Sequence, residues 1–128
     1  MENALTILIQ EGTFWIVRIE YDQRNFGNIC VMLRSKNQVD IRFVKDRSDF
    51  WCELGHLGEW YFVEDVFALI GVVCSIRSND LYEFMEKVAF AIKYNATRIF
   101  DAFATDNFPS TQTKIKEMAT KRAMNIFN

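Results

Sequence analysis

The chain has 128 residues, 50% hydrophobic and 15% aromatic, which suffices for one packed core, so residues 1–128 are read as a single domain. Its 15 basic and 17 acidic residues are interspersed to a net charge of −2, which excludes the strong summed field that recruits nucleic acid or anionic lipid by charge alone. No apolar run approaches the roughly 18 residues of a membrane span. The opening MENALTILIQEG has neither a basic leader nor a small-residue cleavage site, so no membrane partner and a cytoplasmic location are expected. Cys30, Cys52 and Cys74 each sit beside bulky apolar residues, the setting of buried free thiols in a reducing compartment.

Residues 3–11 place Leu5, Leu8 and Ile9 at helical spacing, while Leu5, Ile7 and Ile9 also fit a strand; a short helix is preferred. Phe14 to Tyr21 is aromatic and β-branched and reads as a strand, with Trp15, Val17, Ile19 and Tyr21 on one side and Arg18 and Glu20 on the other. The Asp, Asn and Gly of Asp22 to Asn28 form a turn. Beyond it Ile29, Val31 and Leu33 alternate with Cys30, Met32 and Arg34, a strand apolar on both faces and therefore central. Ser35 to Gln38 has hairpin length, and Val39, Ile41 and Phe43 then alternate with Asp40 and Arg42. After a second turn at Asp46 to Asp49, the residues Phe50, Cys52 and Leu54 alternate with Trp51 and Glu53 in a fourth strand that ends at Gly55. Short connections make these strands an antiparallel meander.

The period then changes. Val63, Val66, Phe67 and Ile70 take helical spacing with Gly71 as the C-terminal cap. Ser78, Asn79 or Asp80 caps one long helix whose apolar stripe runs Leu81, Phe84, Met85, Val88, Ala91, Ile92, Ala96, Ile99 and Phe103, ending by Asp106. Pro109 opens a last helix with Ile115, Met118, Arg122 and Ile126 along one side. Strands followed by helices, rather than alternating with them, predict an α+β fold: a four-stranded antiparallel meander with an N-terminal helix and C-terminal helices packed on one face.

His56, between Gly55 and Leu57 in a loop, is the one histidine, the residue type suited to a catalytic base without environmental tuning, yet no nucleophile or orienting motif surrounds it. One histidine and three scattered cysteines match no metal-ligand spacing, and Gly55 and Gly58 match no phosphate loop, so no metal, cofactor or enzymatic role is expected. Asp46, Asp49, Glu53 and Glu59 alternate with Arg42, Lys45 and Arg47 as a salt-bridged sheet face does. Phe43, Phe50, Trp51, Trp60 and Tyr61 beside those cations could stack on single-stranded nucleic acid, but the interleaved carboxylates repel phosphate. What remains is a protein-binding surface made of Asp46, Arg47, Asp49, Trp51, Glu53, Glu59, Trp60 and Tyr61, since exposed Trp, Tyr and Arg dominate interface hot spots and acids steer basic partners.

The order of parts, with RFVKDRSDFWCELG on the meander and GEWYFVEDVFALIG leading into the helices, resembles small bacterial immunity proteins of polymorphic or contact-dependent growth inhibition toxin systems. The resemblance implies a protein that binds a cognate toxin domain, a nuclease, and occludes its active site or substrate surface. Asp46, Asp49, Glu53 and Glu59 would then steer the basic toxin, and Trp51, Trp60 and Tyr61 would anchor it. Two other readings stay open: a nucleic-acid-binding adaptor using the aromatic face, and a small hydrolase using His56 with nearby carboxylates.

Overall fold

The computed structural model describes residues 1–25, 27–73 and 75–127, the side chains of Ile126 and Phe127 excepted. The expectations for Cys74 and for the Ile126 side chain therefore fall outside the described residues. The elements follow in the order α1 (Glu2–Ile9), β1 (Phe14–Asp22), β2 (Asn28–Ser35), β3 (Asp40–Asp46), β4 (Asp49–His56), β5 (Glu59–Phe62), α2 (Val63–Leu69), α3 (Leu81–Tyr94), α4 (Ala96–Phe103) and α5 (Phe108–Phe127). The class is α+β, with a sheet of order β1-β2-β3-β4-β5 in which every neighbouring pair is antiparallel.

Five strands stand where four were expected. β5 is only four residues long and mixes Glu with aromatics, too short to display a period of two. The chain does not stop at Gly55 but continues to His56 and reverses at Leu57 and Gly58, whose φ values of 52° and 82° are the two left-handed positions of a tight hairpin turn. His56 is thus a strand residue rather than a loop residue.

A second difference lies in β1. Its register against β2 shifts between Ile16 and Arg18, leaving Val17 as an extra residue. One inserted residue inverts the alternation, so Trp15 aligns with Arg34, whereas Ile19 and Tyr21 align with Val31 and Ile29 on the opposite face. The single apolar side expected from Trp15 to Tyr21 is therefore split between both faces.

The helix expected to run from Leu81 to Phe103 is two helices joined at Asn95. The Asn95 amide side chain donates to the Ala91 carbonyl oxygen at 2.8 Å, and its backbone adopts φ −114° and ψ 16°. Asn side chains compete in this way for backbone partners, which bends a helix without interrupting its apolar stripe. Ile92, Ile99 and Phe103 remain buried across the joint. Capping elsewhere follows the sequence. Asp80 accepts from the Tyr82 amide at 2.9 Å, and Gly71, at φ 77°, lets the Val72 amide reach back to the Phe67 carbonyl at 2.8 Å.

The core lies between one sheet face and the helices. Val31 and Leu33 of β2, Ile41 and Phe43 of β3, and Cys52 and Leu54 of β4 are all buried, together with Val66, Phe84, Met85, Val88, Ile92, Ile99 and Phe103 from the helices. Ring contacts mark the same side: Phe14 meets Phe100, Phe50 meets Phe84, and Tyr61 meets Phe103. Full burial of each such side chain contributes about 1.5–3 kcal/mol. Among the described residues no helix is long and apolar enough to cross a membrane.

Packing of α5 includes Phe108 and Ile115 and one ion pair, Arg122 Nη1 to Asp65 Oδ1 at 2.7 Å, with the carboxylate buried under α5. Arg122→Ala leaves that carboxylate without its cation, and we expect a loss of about 1–2 kcal/mol, the arginine's own exposure holding the value down. Chemical denaturation of the two proteins measures it.

Candidate functional site

Among the described residues no helix covers the second sheet face, and strand register turns it into a grid. Arg18, Met32, Arg42, Glu53 and Phe62 align across all five strands. One row away lie Trp15, Arg34, Asp40, Gly55 and Trp60, and on the other side Glu20, Cys30, Val44 and Trp51. All three tryptophans of the chain therefore share the helix-free face.

Glu53 gathers the centre of this grid. Its Oε1 accepts from Arg42 Nη2 at 3.0 Å and from Trp51 Nε1 at 2.8 Å, and its Oε2 accepts from the same Arg42 nitrogen at 3.0 Å. Arg42 in turn lies over the Trp60 ring, its guanidinium carbon 4.0 Å from the ring centroid. Such cation–π contacts contribute about 0.5–1 kcal/mol where solvent reaches them. Trp60 rests on Gly55, where an added Cβ would lie 2.7 Å from the ring, so the glycine is required by the indole above it. One carboxylate and one guanidinium thus fix both indoles while leaving them partly exposed.

Charges on this face are otherwise matched locally. Arg18 pairs with Glu20, and Arg34 with Asp40 at 3.2 Å. At the end of the face marked by the β3–β4 turn, acids predominate: Asp46 stands opposite Asp49, and Glu20, Asp22 and Asp46 rim a shallow depression floored by Cys30 and Val44. Arg47, left-handed at φ 60° in that turn, donates its backbone N–H to Asn28 Oδ1 at 2.7 Å and so ties the turn to β2.

The eight residues singled out from sequence separate into three places. Trp51, Glu53 and Trp60 meet at the centre of the helix-free face. Asp46, Arg47 and Asp49 form the acidic turn at its end. Glu59 and Tyr61 point the other way, toward α5: the Tyr61 hydroxyl donates to Glu59 Oε2 at 2.8 Å, Gln112 Nε2 donates to both, and the Tyr61 ring packs on Phe103 and Phe108. Burial raises the Tyr61 hydroxyl pKa, an effect that Gln112 opposes and Glu59 reinforces.

Sequence reading left Arg42, Trp15, Phe62 and Gly55 outside the candidate surface. Counting outward from the turn at Arg47 would have set Arg42 opposite Glu53, and counting from Leu57 and Gly58 would have set Gly55 opposite Trp60. Trp15 was hidden by the bulge.

His56 is buried at 6% exposure, with Nδ1 2.8 Å from the Gln38 carbonyl oxygen and its ring against Phe103 and Phe108. A carbonyl only accepts, so Nδ1 carries the proton and the tautomer is fixed. This environment holds the imidazole as a packed core group. No trio of His, Cys, Asp or Glu side chains among the described residues converges as a metal site.

Two measurements probe the face. Gly55→Ala pushes the Trp60 ring off Arg42; we expect an altered near-ultraviolet circular dichroism band with a stability loss below about 2 kcal/mol, because the displaced ring is partly exposed and can move. Thiol labelling of the native protein, read by peptide mass spectrometry, should modify Cys30 and spare Cys52. Both thiol pKa values are raised, chiefly by burial, but Cys52 is fully buried and its pKa lies well above the ordinary value. The Cys30 rate should keep rising as pH increases past the usual thiol range.

In comparisons with known proteins, no family model, no curated protein and no solved structure matches this chain.

Proposed function

We propose that the chain is an immunity-type inhibitor, a binding module that seats a basic polypeptide surface on its helix-free sheet face and thereby neutralises a cognate toxin domain, a nuclease, by covering its active site or substrate surface. The observation that carries this reading is the placement of all three tryptophans on that face, two of them held by Arg42 and Glu53. Aromatic anchors with fixed rotamers lose little entropy when a partner lands, which is how a small number of residues dominates an interface.

The acidic end supports the choice of partner. A nuclease is basic where it holds nucleic acid, and the carboxylates of Asp22, Asp46 and Asp49, at the Trp51 end of the face, complement such a surface and accelerate encounter. The same carboxylates oppose phosphate, and the arginines of the face already pair with acids, which disfavours the alternative of a nucleic-acid adaptor. Glu59 and Tyr61, being engaged with Gln112, support the α5 contact and are not assigned to the interface.

The test measures binding of the chain to a basic nuclease toxin domain. Trp51→Ala and Trp60→Ala are each expected to weaken binding by about 2 kcal/mol, roughly thirtyfold, mostly through faster dissociation. Asp46→Lys with Asp49→Lys should instead slow association and flatten its dependence on salt. Unchanged kinetics in both sets, measured by surface plasmon resonance, would refute the assignment of this face.

A further inference from the structure

Among the described residues β1 is an edge strand: β2 hydrogen-bonds to one side of it and no strand to the other. Past Phe14 each of its residues is exposed, including Ile19 at 52% and Tyr21 at 63%. The helix layer reaches it only near its start, so Ile19 and Tyr21, although on the core-side face, lie beyond its cover. Edge strands are usually blunted by proline, lysine or shortness. β1 has nine residues, neither proline nor lysine, and one bulge at Val17 that confines regular geometry to Arg18–Asp22.

We propose that this edge pairs with the β1 edge of a second copy of the chain, forming a two-fold dimer with a continuous ten-stranded sheet. The partner is chosen by charge. Antiparallel pairing about an axis normal to the sheet keeps core faces with core faces, so only residues of the same face can stand opposite one another. Five such registers have their axis on a residue of the regular segment. Centred on Arg18 the pairing opposes two arginines, centred on Tyr21 it opposes Glu20 to Asp22, and centred on Asp22 it opposes two aspartates; centred on Glu20 it pairs Arg18 with Asp22 but sets two glutamates on the axis, so only the Ile19-centred register opposes no like charges. Centred on Ile19 it sets Arg18 opposite Glu20 of the second copy, twice, with the two Ile19 side chains meeting on the axis.

Within one chain Arg18 and Glu20 already lie together on the outer face, with Arg18 Nε 2.8 Å from Glu20 Oε1. The dimer closes them into a ring of four alternating charges, each flanked by two of opposite sign. On the other face the Tyr21 rings flank the Ile19 pair and cover apolar surface that the helices leave open. Both tryptophan-bearing faces then point the same way. The inference stands apart from the proposed function, since it uses neither Trp51 nor Trp60 and concerns the free chain.

Sedimentation velocity of the full chain across a micromolar concentration series tests it. The wild type is expected to associate reversibly to a dimer. Arg18→Glu and Glu20→Arg each place like charges opposite one another at two symmetric positions, and should weaken the dimer about tenfold. The double variant R18E/E20R restores opposite pairing and should recover wild-type association. Rescue by the double exchange separates register-specific pairing from general loss of charge or of fold, and circular dichroism reports whether each variant is folded. Should a single variant fail to fold, hydrogen exchange of the wild type decides: amides of Ile19 to Tyr21 should lose protection on dilution while those of β3 do not. A chain that stays monomeric throughout, a dimer indifferent to both single exchanges, or β1 protection independent of concentration would overturn the proposal.

Discussion

The register between β3 and β4 is the constraint on which everything else rests. The turn at Arg47 and Ser48 sets Phe43 opposite Cys52 on one face and Arg42 opposite Glu53 on the other. Because side chains alternate strictly, a slip of β4 by one residue would drive Trp51 and Glu53 under the helices and expose Cys52 and Leu54. Burial of the apolar set is worth several kcal/mol per strand, so the core enforces the register. The helix-free face inherits its geometry from that choice.

Division of labour between the faces explains why ordered polar chemistry survives on the outer one. A carboxylate accepting from a guanidinium and an indole costs little to desolvate halfway, because each lone pair that loses water gains a donor. No buried side-chain nitrogen or oxygen among the described residues is left without a partner. The same accounting holds on the core side, where Ser35 bonds both the amide and the carbonyl of Val39 and His56 bonds Gln38. On the sheet, Ser35 and His56 enter the interior at strand ends, where turns supply backbone partners.

Much of this was legible in the sequence where a residue's role depends on its near neighbours. The alternation of Ile41, Arg42 and Phe43, the cap at Asp80 and the glycine stop at Gly71 are local signals, and they gave the class, the meander and the position of Trp51 and Glu53 on one face. Signals that depend on a partner were lost. Val17 shows as an insertion only against β2, and Asn95 bends a stripe whose hydrophobic spacing continues through it. Glu59 and Tyr61 look like exposed polar and aromatic residues until α5 brings Gln112 to them. The candidate surface is accordingly split between directions, since a four-residue strand such as β5 does not announce which way its side chains point.

One consequence of the tryptophan placement is practical. The interior is filled by phenylalanine and aliphatic groups, so Trp15, Trp51 and Trp60 supply the indole emission entirely from the uncovered side of the sheet. The molecule carries its own optical reporter there. Changes in its fluorescence at constant fold register events on that surface, and they do so without any label being attached.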